Sequence, residues 1–284
     1  MGFFDFGKKQ KKQEVPEEPL RNYPQMLTAK LLFAEKPVID KERLTTKLAT
    51  THPGVHSPDG ESTLLYFFPD IKVSFEEGAM PAQCTILQPN ADDEKAEIAP
   101  EAFQQNWHWA EADERAAACG FEILVSDFMS RTLNYKTRLA LFMDFLVAVT
   151  RVVSPQVVYS FAAQKLIEAD DLIDSWTNPD QRALHGLVNV RLFNISNGLT
   201  GEILMDTVGL HLLGLPDFQI RFADLDEGAV GQALWNYAYY VYEHGDMIAD
   251  GNTIQGLTAQ AKWKCERQIA LVAPERVVIH LHTS

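Results

Sequence analysis

Residues 186–222 read GLVNVRLFNISNGLTGEILMDTVGLHLLGLPDFQIRF, and they decide the fold because three short apolar runs are separated by turn residues. Aliphatic and β-branched residues in short runs favour strands. The segments 196–198 and 214–217 are typical of turns, since Asn and Gly tolerate positive φ and Pro interrupts a strand ladder. Residues 218–222 alternate apolar and polar side chains, the period of a half-buried strand. Strands adjacent in sequence usually pair, so the stretch predicts a three-stranded meander.

The ionisable residues inside these apolar runs include Arg191, Asp206, His211 and Asp217. An arginine and an aspartate on neighbouring strands can form a buried, hydrogen-bonded ion pair. The same residues can instead be the polar end of a binding pocket, where His211 would supply an acid or a base. The sequence places no nucleophile beside them, and both interpretations stay open.

The chain contains the motifs Asn189-x-Arg191-x-Phe193, Met205-Asp206-Thr207-x-Gly209-Leu210, Gly214-Leu215-Pro216-Asp217 and Asp250-Gly251-x-Thr253-Ile254. These motifs resemble a bacterial family of uncharacterised proteins, the domain of unknown function 4261. Residues 33–37 and 106–109 also look like the amino-terminal half of that family, so the resemblance spans roughly residues 27–254. It implies a family but no activity and no catalytic residues.

Composition excludes some classes of function. The 284 residues are 46% hydrophobic, which supports a well-buried core, and they carry a net charge of −14. Such an acidic surface repels phosphate backbones, so nucleic-acid binding is disfavoured. Three widely spaced cysteines form neither a disulfide framework nor a zinc motif, and they fit a reducing cytoplasm.

Membrane insertion is also disfavoured. No signal-peptide core is present, and the apolar run 139–150 contains Asp144 and is closely bounded by Arg138 and Arg151. This run predicts a buried helix. Residues 3–12 combine three phenylalanines with four lysines. They are interpreted as part of a disordered tail, or alternatively as a weak contact with a membrane surface.

The order of elements predicts an α+β fold with an internal duplication: strand, helix, three strands, helix and strand, twice. Residues 33–44 (FAEKPVIDKERL) lie over residues 161–172 (FAAQKLIEADDL) in this comparison. The predicted parts are a flexible tail (1–22), a first repeat (23–134), a connecting buried helix (135–153) and a second repeat (154–284). Each repeat is expected to form an antiparallel-rich sheet with helices on one face.

Local signals give more specific expectations. Asp40 and Asp226 are predicted N-caps of helices, the second helix ending at Gly245. A long helix is expected over residues 100–119. Strands are expected over residues 63–68, 71–75, 82–87, 156–161 and 247–249, with a final pair over 262–272 and 277–282.

Two further groups of residues are candidate sites. Trp107 and His108, within Asn-Trp-His-Trp at 106–109, are interpreted either as the wall of a ligand pocket or as packing between the repeats. His280 and His282 would share one face of a strand and could be half of a metal site. The sequence supplies no third ligand, so no metal and no cofactor are predicted. No phosphate loop and no nucleophile elbow is present.

These observations favour a soluble cytoplasmic binding or protein-interaction module rather than an enzyme. An immunity-like role would suit the acidic surface, because an acidic protein can mask a basic partner. One alternative is an enzyme with its site near Arg191, Asp206 and His211. Another alternative is a peripheral membrane protein anchored by the Phe- and Lys-rich tail.

Overall fold

Two six-stranded sheets with helices packed on them make up the described residues, 20–58, 63–88, 97–178, 184–195 and 201–283, of a computed structural model. The α+β class is therefore confirmed. The predicted tail contact of residues 3–12 lies outside the described residues. The strands are β1 Thr28–Phe33, β2 Thr63–Phe75, β3 Gly78–Leu87, β4 Phe121–Phe128, β5 Val157–Ser160, β6 Lys165–Glu168, β7 Asn189–Asn194, β8 Ile203–Val208, β9 Asp217–Phe222, β10 Thr253–Gln255, β11 Lys262–Ile269 and β12 Val277–His282. The helices are α1 Lys41–Ala49, α2 Pro100–Gln104, α3 Ala112–Ala117, α4 Tyr135–Val153, α5 Ala169–Thr177 and α6 Glu227–His244, with a 3-10 helix at Leu210–Leu213.

The first sheet has the strand order β2-β3-β4-β1-β5-β6, and every adjacent pair in it is antiparallel. The second sheet has the order β10-β11-β12-β9-β8-β7, with one parallel pair, β12 with β9. The predicted meander is confirmed as β7-β8-β9. Its register places Arg191 opposite Asp206, and Asp206 opposite Gln219.

The strand orders do not follow the predicted repeats. Strand β5, which was predicted as part of the second repeat, continues the first sheet because it pairs with β1, and β6 pairs with β5. The residues of β5 are buried between β1 and β6, so this apolar strand belongs to the first sheet and does not begin a new one. The fold gives no confirmation of the duplication, which remains a hypothesis together with its boundaries.

The predicted helix caps and the buried helix are confirmed. The Asp40 carboxylate accepts from the Arg43 amide, and the Asp226 carboxylate accepts from the Ala229 amide. Gly245 ends α6 with a φ of 82°, which a residue with a Cβ rarely adopts. Helix α4 is buried along most of its length between α1 and α5. Among the described residues, no helix combines the length and the apolar character needed to cross a membrane.

Several predicted boundaries were wrong. The strands expected over 63–68 and 71–75 are a single strand, β2, whose register shifts between Phe68 and Lys72. The strand expected over 247–249 does not form, and β10 lies a few residues later. Strand β6 was not predicted. The long helix expected over 100–119 is broken into α2 and α3.

The break in that helix has a tertiary cause. The Gln105 side chain donates to the Leu192 carbonyl at 2.8 Å and accepts from the Leu192 amide at 2.9 Å. It therefore bonds the free edge of β7 as another strand would. Asn106 donates to the Trp109 carbonyl and closes the following turn. Residues 105–109 are consequently drawn across from the first sheet onto the edge of the second.

Candidate functional site

Arg191 and Asp206 form a bidentate ion pair between β7 and β8. The guanidinium Nε lies 2.9 Å from Oδ1 of the carboxylate, and Nη2 lies 2.6 Å from Oδ2. Both side chains have 0% exposure. The remaining guanidinium nitrogen donates to Gln164 at 2.7 Å and to the Ala273 carbonyl at 2.9 Å. The arginine is thus fully occupied, as a buried charge requires.

Arg276 joins this pair to Asp217. Arg276 was not identified from the sequence as part of this group. Its Nη2 lies 2.6 Å from Asp206 Oδ2, and its Nε lies 3.3 Å from Asp217 Oδ2. The contact between Arg276 Nε and Asp217 does not meet the geometry of a hydrogen bond, so the two groups interact only through their charges. We call Arg191, Asp206, Arg276, Asp217 and His211 the buried arginine–aspartate cluster.

Asp217 completes the cluster through the turn after β8. Its carboxylate accepts from the Thr207 hydroxyl, from the amides of residues 209–211 and from His211 Nδ1 at 2.9 Å. Burial acts to raise the pKa of this carboxyl. The hydrogen bond and charge of His211, together with Arg276, outweigh burial and lower the pKa below its usual value.

The geometry of this cluster favours the structural interpretation of the candidate residues Arg191, Asp206, His211 and Asp217. Their charged atoms are enclosed and bind one another or the backbone. None of them lines either of the two pockets considered below.

Burial also raises the pKa of the Cys84 and Cys265 thiols, to about 11 for Cys265, so neither is a thiolate nucleophile at neutral pH.

A pocket of about 310 Å³ lies where the edge strands of the two sheets meet. Strand β6 closes one side and β7 the other, while Gln105, Trp107, His108 and the first turns of α6 complete the wall. Its lining residues are Gln105, Trp107, His108, Lys165, His185, Asn189, Val190, Met205, Glu227, Gly228, Gly231, Gln232 and Trp235. Trp107 and His108, two of the candidate residues, therefore lie in a pocket wall, as one of their two interpretations required.

The polar wall of this pocket is built from Lys165, His185 and His108. Lys165 has 2% exposure, and its Nζ lies 3.0 Å from the His185 carbonyl and 3.2 Å from His185 Nδ1. The His108 ring meets the His185 ring edge to face at 5.5 Å. Reasoning from sequence missed Lys165 and His185. The signal for Lys165 was a charged residue inside an apolar run, the same signal that identified Arg191.

Trp107 and Trp235 supply the aromatic walls of the pocket. Trp107 has 58% exposure although it is large and apolar. Residues 105–106 hold it in place through their hydrogen bonds to β7 and to Trp109. A tryptophan that is held exposed to water adds little to the hydrophobic core. Exposed aromatic residues on fixed segments are common at ligand sites.

The rings of His280 and His282 lie side by side on β12. Their rings are 4.6 Å apart, and His282 lies 2.7 Å from Glu266. Nevertheless, in the part of the chain that the structure describes, no group of three or more His, Cys, Asp and Glu side chains could hold a metal ion.

His280 should make stability depend on pH. Burial, followed by the charge of His282, lowers its pKa in the folded protein below the ordinary value of 6.5. As pH falls below about 6.5, His280 is protonated in the unfolded chain but stays neutral in the folded protein. The free energy of unfolding therefore decreases until the pH reaches the lower pKa of the folded state. His280→Asn is expected to flatten the decline in the free energy of unfolding between about pH 6.5 and pH 5. Urea unfolding across this range measures it, with exposed His244→Asn as control. Superimposable profiles for wild type and His280→Asn would contradict the assignment.

Comparison with known proteins supports the family resemblance. The family model described as "Domain of unknown function (DUF4261)" matches residues 206–282, which run from β8 to the end of β12. The chain is thus similar to this family over most of the second sheet, a region that contains Asp206, Asp217 and Arg276. No curated protein and no solved structure matches the chain. The motifs at 33–37, 106–109 and 189–193 lie outside the matched residues.

Proposed function

We propose that the protein is a cytoplasmic binding module that holds a small molecule in the pocket between its two sheets. The observation that carries the proposal is an exposed Trp107 fixed above a pocket whose inner wall holds the buried Lys165 and His185. A volume of about 310 Å³ and a mixture of aromatic and polar walls are typical of small-molecule sites. Free, widely separated cysteines support the cytoplasmic location.

Trp107→Ala should separate binding from folding. The side chain is mostly exposed, so the melting temperature is expected to change little. Small molecules that raise the melting temperature of the wild type in a fragment screen should lose that effect in the variant, because stabilisation by a ligand requires binding to the folded state. Tyr240→Ala is the matched control, since Tyr240 is a half-exposed aromatic residue of α6 outside the pocket. Fragments that stabilise Trp107→Ala as well as the wild type would contradict the proposal.

The second candidate is the protein-interaction module predicted from the sequence. A groove of about 220 Å³ on the first sheet is bordered by the half-exposed Met26, Phe75, Phe128 and Met129. Exposed apolar side chains gathered at one place are typical of protein contacts. With a net charge of −14 on the chain, the partner would be a basic protein. Binding of such a partner should weaken as salt concentration rises and should not respond to Trp107→Ala.

A further inference from the structure

We infer that the ligand of the pocket is an aromatic carboxamide or lactam whose amide group pairs with the backbone amide and carbonyl of Val190 on the free edge of β7. This inference rests on the proposed function and specifies the class of ligand. The observation behind it is a backbone donor and acceptor in the pocket wall, next to a pair of the same kind that the chain itself occupies with the carboxamide of Gln105.

The pairing of β7 with β8 sets the direction of the Val190 backbone groups. In an antiparallel ladder, residues whose amide and carbonyl bond the partner strand alternate with residues whose amide and carbonyl point away from it. Leu192 points away from β8, because its amide and carbonyl bond the Gln105 side chain. Val190 lies two residues earlier on the same strand, so it also points away from β8. The Ile195 amide donates to the Glu202 carbonyl across the ladder, as this alternation requires.

Val190 offers one open donor and acceptor pair between two occupied positions. On one side, Gln105 occupies the Leu192 pair at 2.8 Å and 2.9 Å. On the other side, the Val188 amide donates to the Leu184 carbonyl at 2.8 Å. No described residue bonds the Val190 amide or carbonyl, although Val190 is half-buried in the pocket wall, where an unpaired backbone group is costly. The edge thus has room for one small amide group and not for an added peptide strand.

Gln105 shows which chemical group matches such a pair. Its carboxamide oxygen accepts from the Leu192 amide, and its nitrogen donates to the Leu192 carbonyl, so one planar group satisfies both. A ligand carboxamide, or the N–H and C=O of a cyclic lactam, presents the same two atoms side by side. A ketone or a carboxylate presents acceptors only and would leave the Val190 carbonyl without a donor.

The aromatic walls select the rest of the ligand. Trp107 follows Gln105 by two residues, and both Trp107 and Trp235 line the pocket together with the apolar Met205. Planar rings gain more from indole surfaces than aliphatic chains do, through stacking and edge-to-face contacts. An aromatic carboxamide or lactam is planar, so its ring can contact the tryptophans while its polar edge reaches β7.

Three probes of one shape test the inference: benzamide, acetophenone and benzoate. Benzamide presents a donor and an acceptor, whereas acetophenone and benzoate present acceptors only. Calorimetric titration of the full chain should give benzamide at least about fivefold higher affinity than either of the others, the usual contribution of one neutral hydrogen bond. Equal affinities for benzamide and acetophenone, a preference for benzoate, or no binding of any probe would overturn the inference. The proposed function is decided separately, by whether the fragments that stabilise the wild type lose their effect in Trp107→Ala.

A proline variant locates the preference. Val190→Pro removes the amide that points away from β8, and proline is accepted on edge strands in this orientation. Benzamide should bind Val190→Pro at least about fivefold more weakly than Val190→Ala, the matched control that keeps the amide. Equal affinity for the two variants would contradict the inference. If Val190→Pro fails to fold, the amide resonance of Val190 in ¹⁵N-valine-labelled wild type decides: it should shift as benzamide saturates the protein, and a resonance that stays in place would overturn the inference.

Discussion

Asp206→Ala is expected to lower the free energy of unfolding by about 3–5 kcal/mol, the range for removing one partner of a buried ion pair. The carboxylate binds two guanidinium groups, Arg191 and Arg276, and all three side chains have 0% exposure. Its removal leaves two buried cations without their shared partner. Urea unfolding measures the loss, and Glu266→Ala is the control, because Glu266 is an exposed carboxylate on the same sheet. A loss no larger than that of the control would contradict the buried arginine–aspartate cluster.

Combining substitutions shows how the cluster is connected. Arg191→Met with Asp206→Leu should recover only part of the loss, since Arg276 then still lacks the Asp206 carboxylate. Adding Arg276→Met should recover more, because Asp217 keeps His211 and three backbone amides. The pair of residues predicted from the sequence is therefore one part of a larger unit. Full recovery in the double variant would contradict the role assigned to Arg276.

Arg138→Met should have a comparably large effect, about 3–5 kcal/mol, because it removes the cation of another buried pair. Arg138 lies in α4 with 1% exposure, and its Nε is 2.6 Å from the buried Asp127 of β4. Its other nitrogens donate to the Leu212 carbonyl at 3.0 Å and to the Gln25 carbonyl. The side chain thus connects the first sheet, the entry to β1 and the 3-10 helix that follows β8.

Arg151→Met is the matched control for this prediction. Arg151 lies near the end of the same helix and is exposed, so its loss should change stability by less than about 0.5 kcal/mol. Chemical denaturation followed by circular dichroism gives both values. Equal small losses for the two variants would show that Arg138 does not hold the sheets together.

Local signals in the sequence predicted much of the fold. The meander followed from the spacing of apolar runs and turn residues, and the caps at Asp40 and Asp226 followed from their position before helical segments. Arg191 and Asp206 were identified because charges inside apolar strands need partners. Each of these features is decided by residues within one or two elements.

The features that were missed depend on contacts between distant parts of the chain. The helix over residues 100–119 breaks because Gln105 bonds β7, 87 residues away. Arg276 precedes an ordinary apolar strand, and only the pairing of β12 with β9 brings it to Asp217. Lys165 faces the pocket because β6 ends the first sheet at the point where β7 ends the second. Local patterns do not encode which sheet edges meet.

Fluorine NMR of protein labelled with 5-fluorotryptophan tests the central claim, that the pocket between the sheets binds a small molecule. The chain has five tryptophans, so five resonances are expected, and single Trp→Phe variants assign them. Titration with a fragment that raises the melting temperature of the wild type should shift the resonances of Trp107 and Trp235, which line the pocket, and leave those of Trp176 and Trp263 in place. A saturating titration that moves Trp176 or Trp263 instead, or that moves no resonance, would contradict the account.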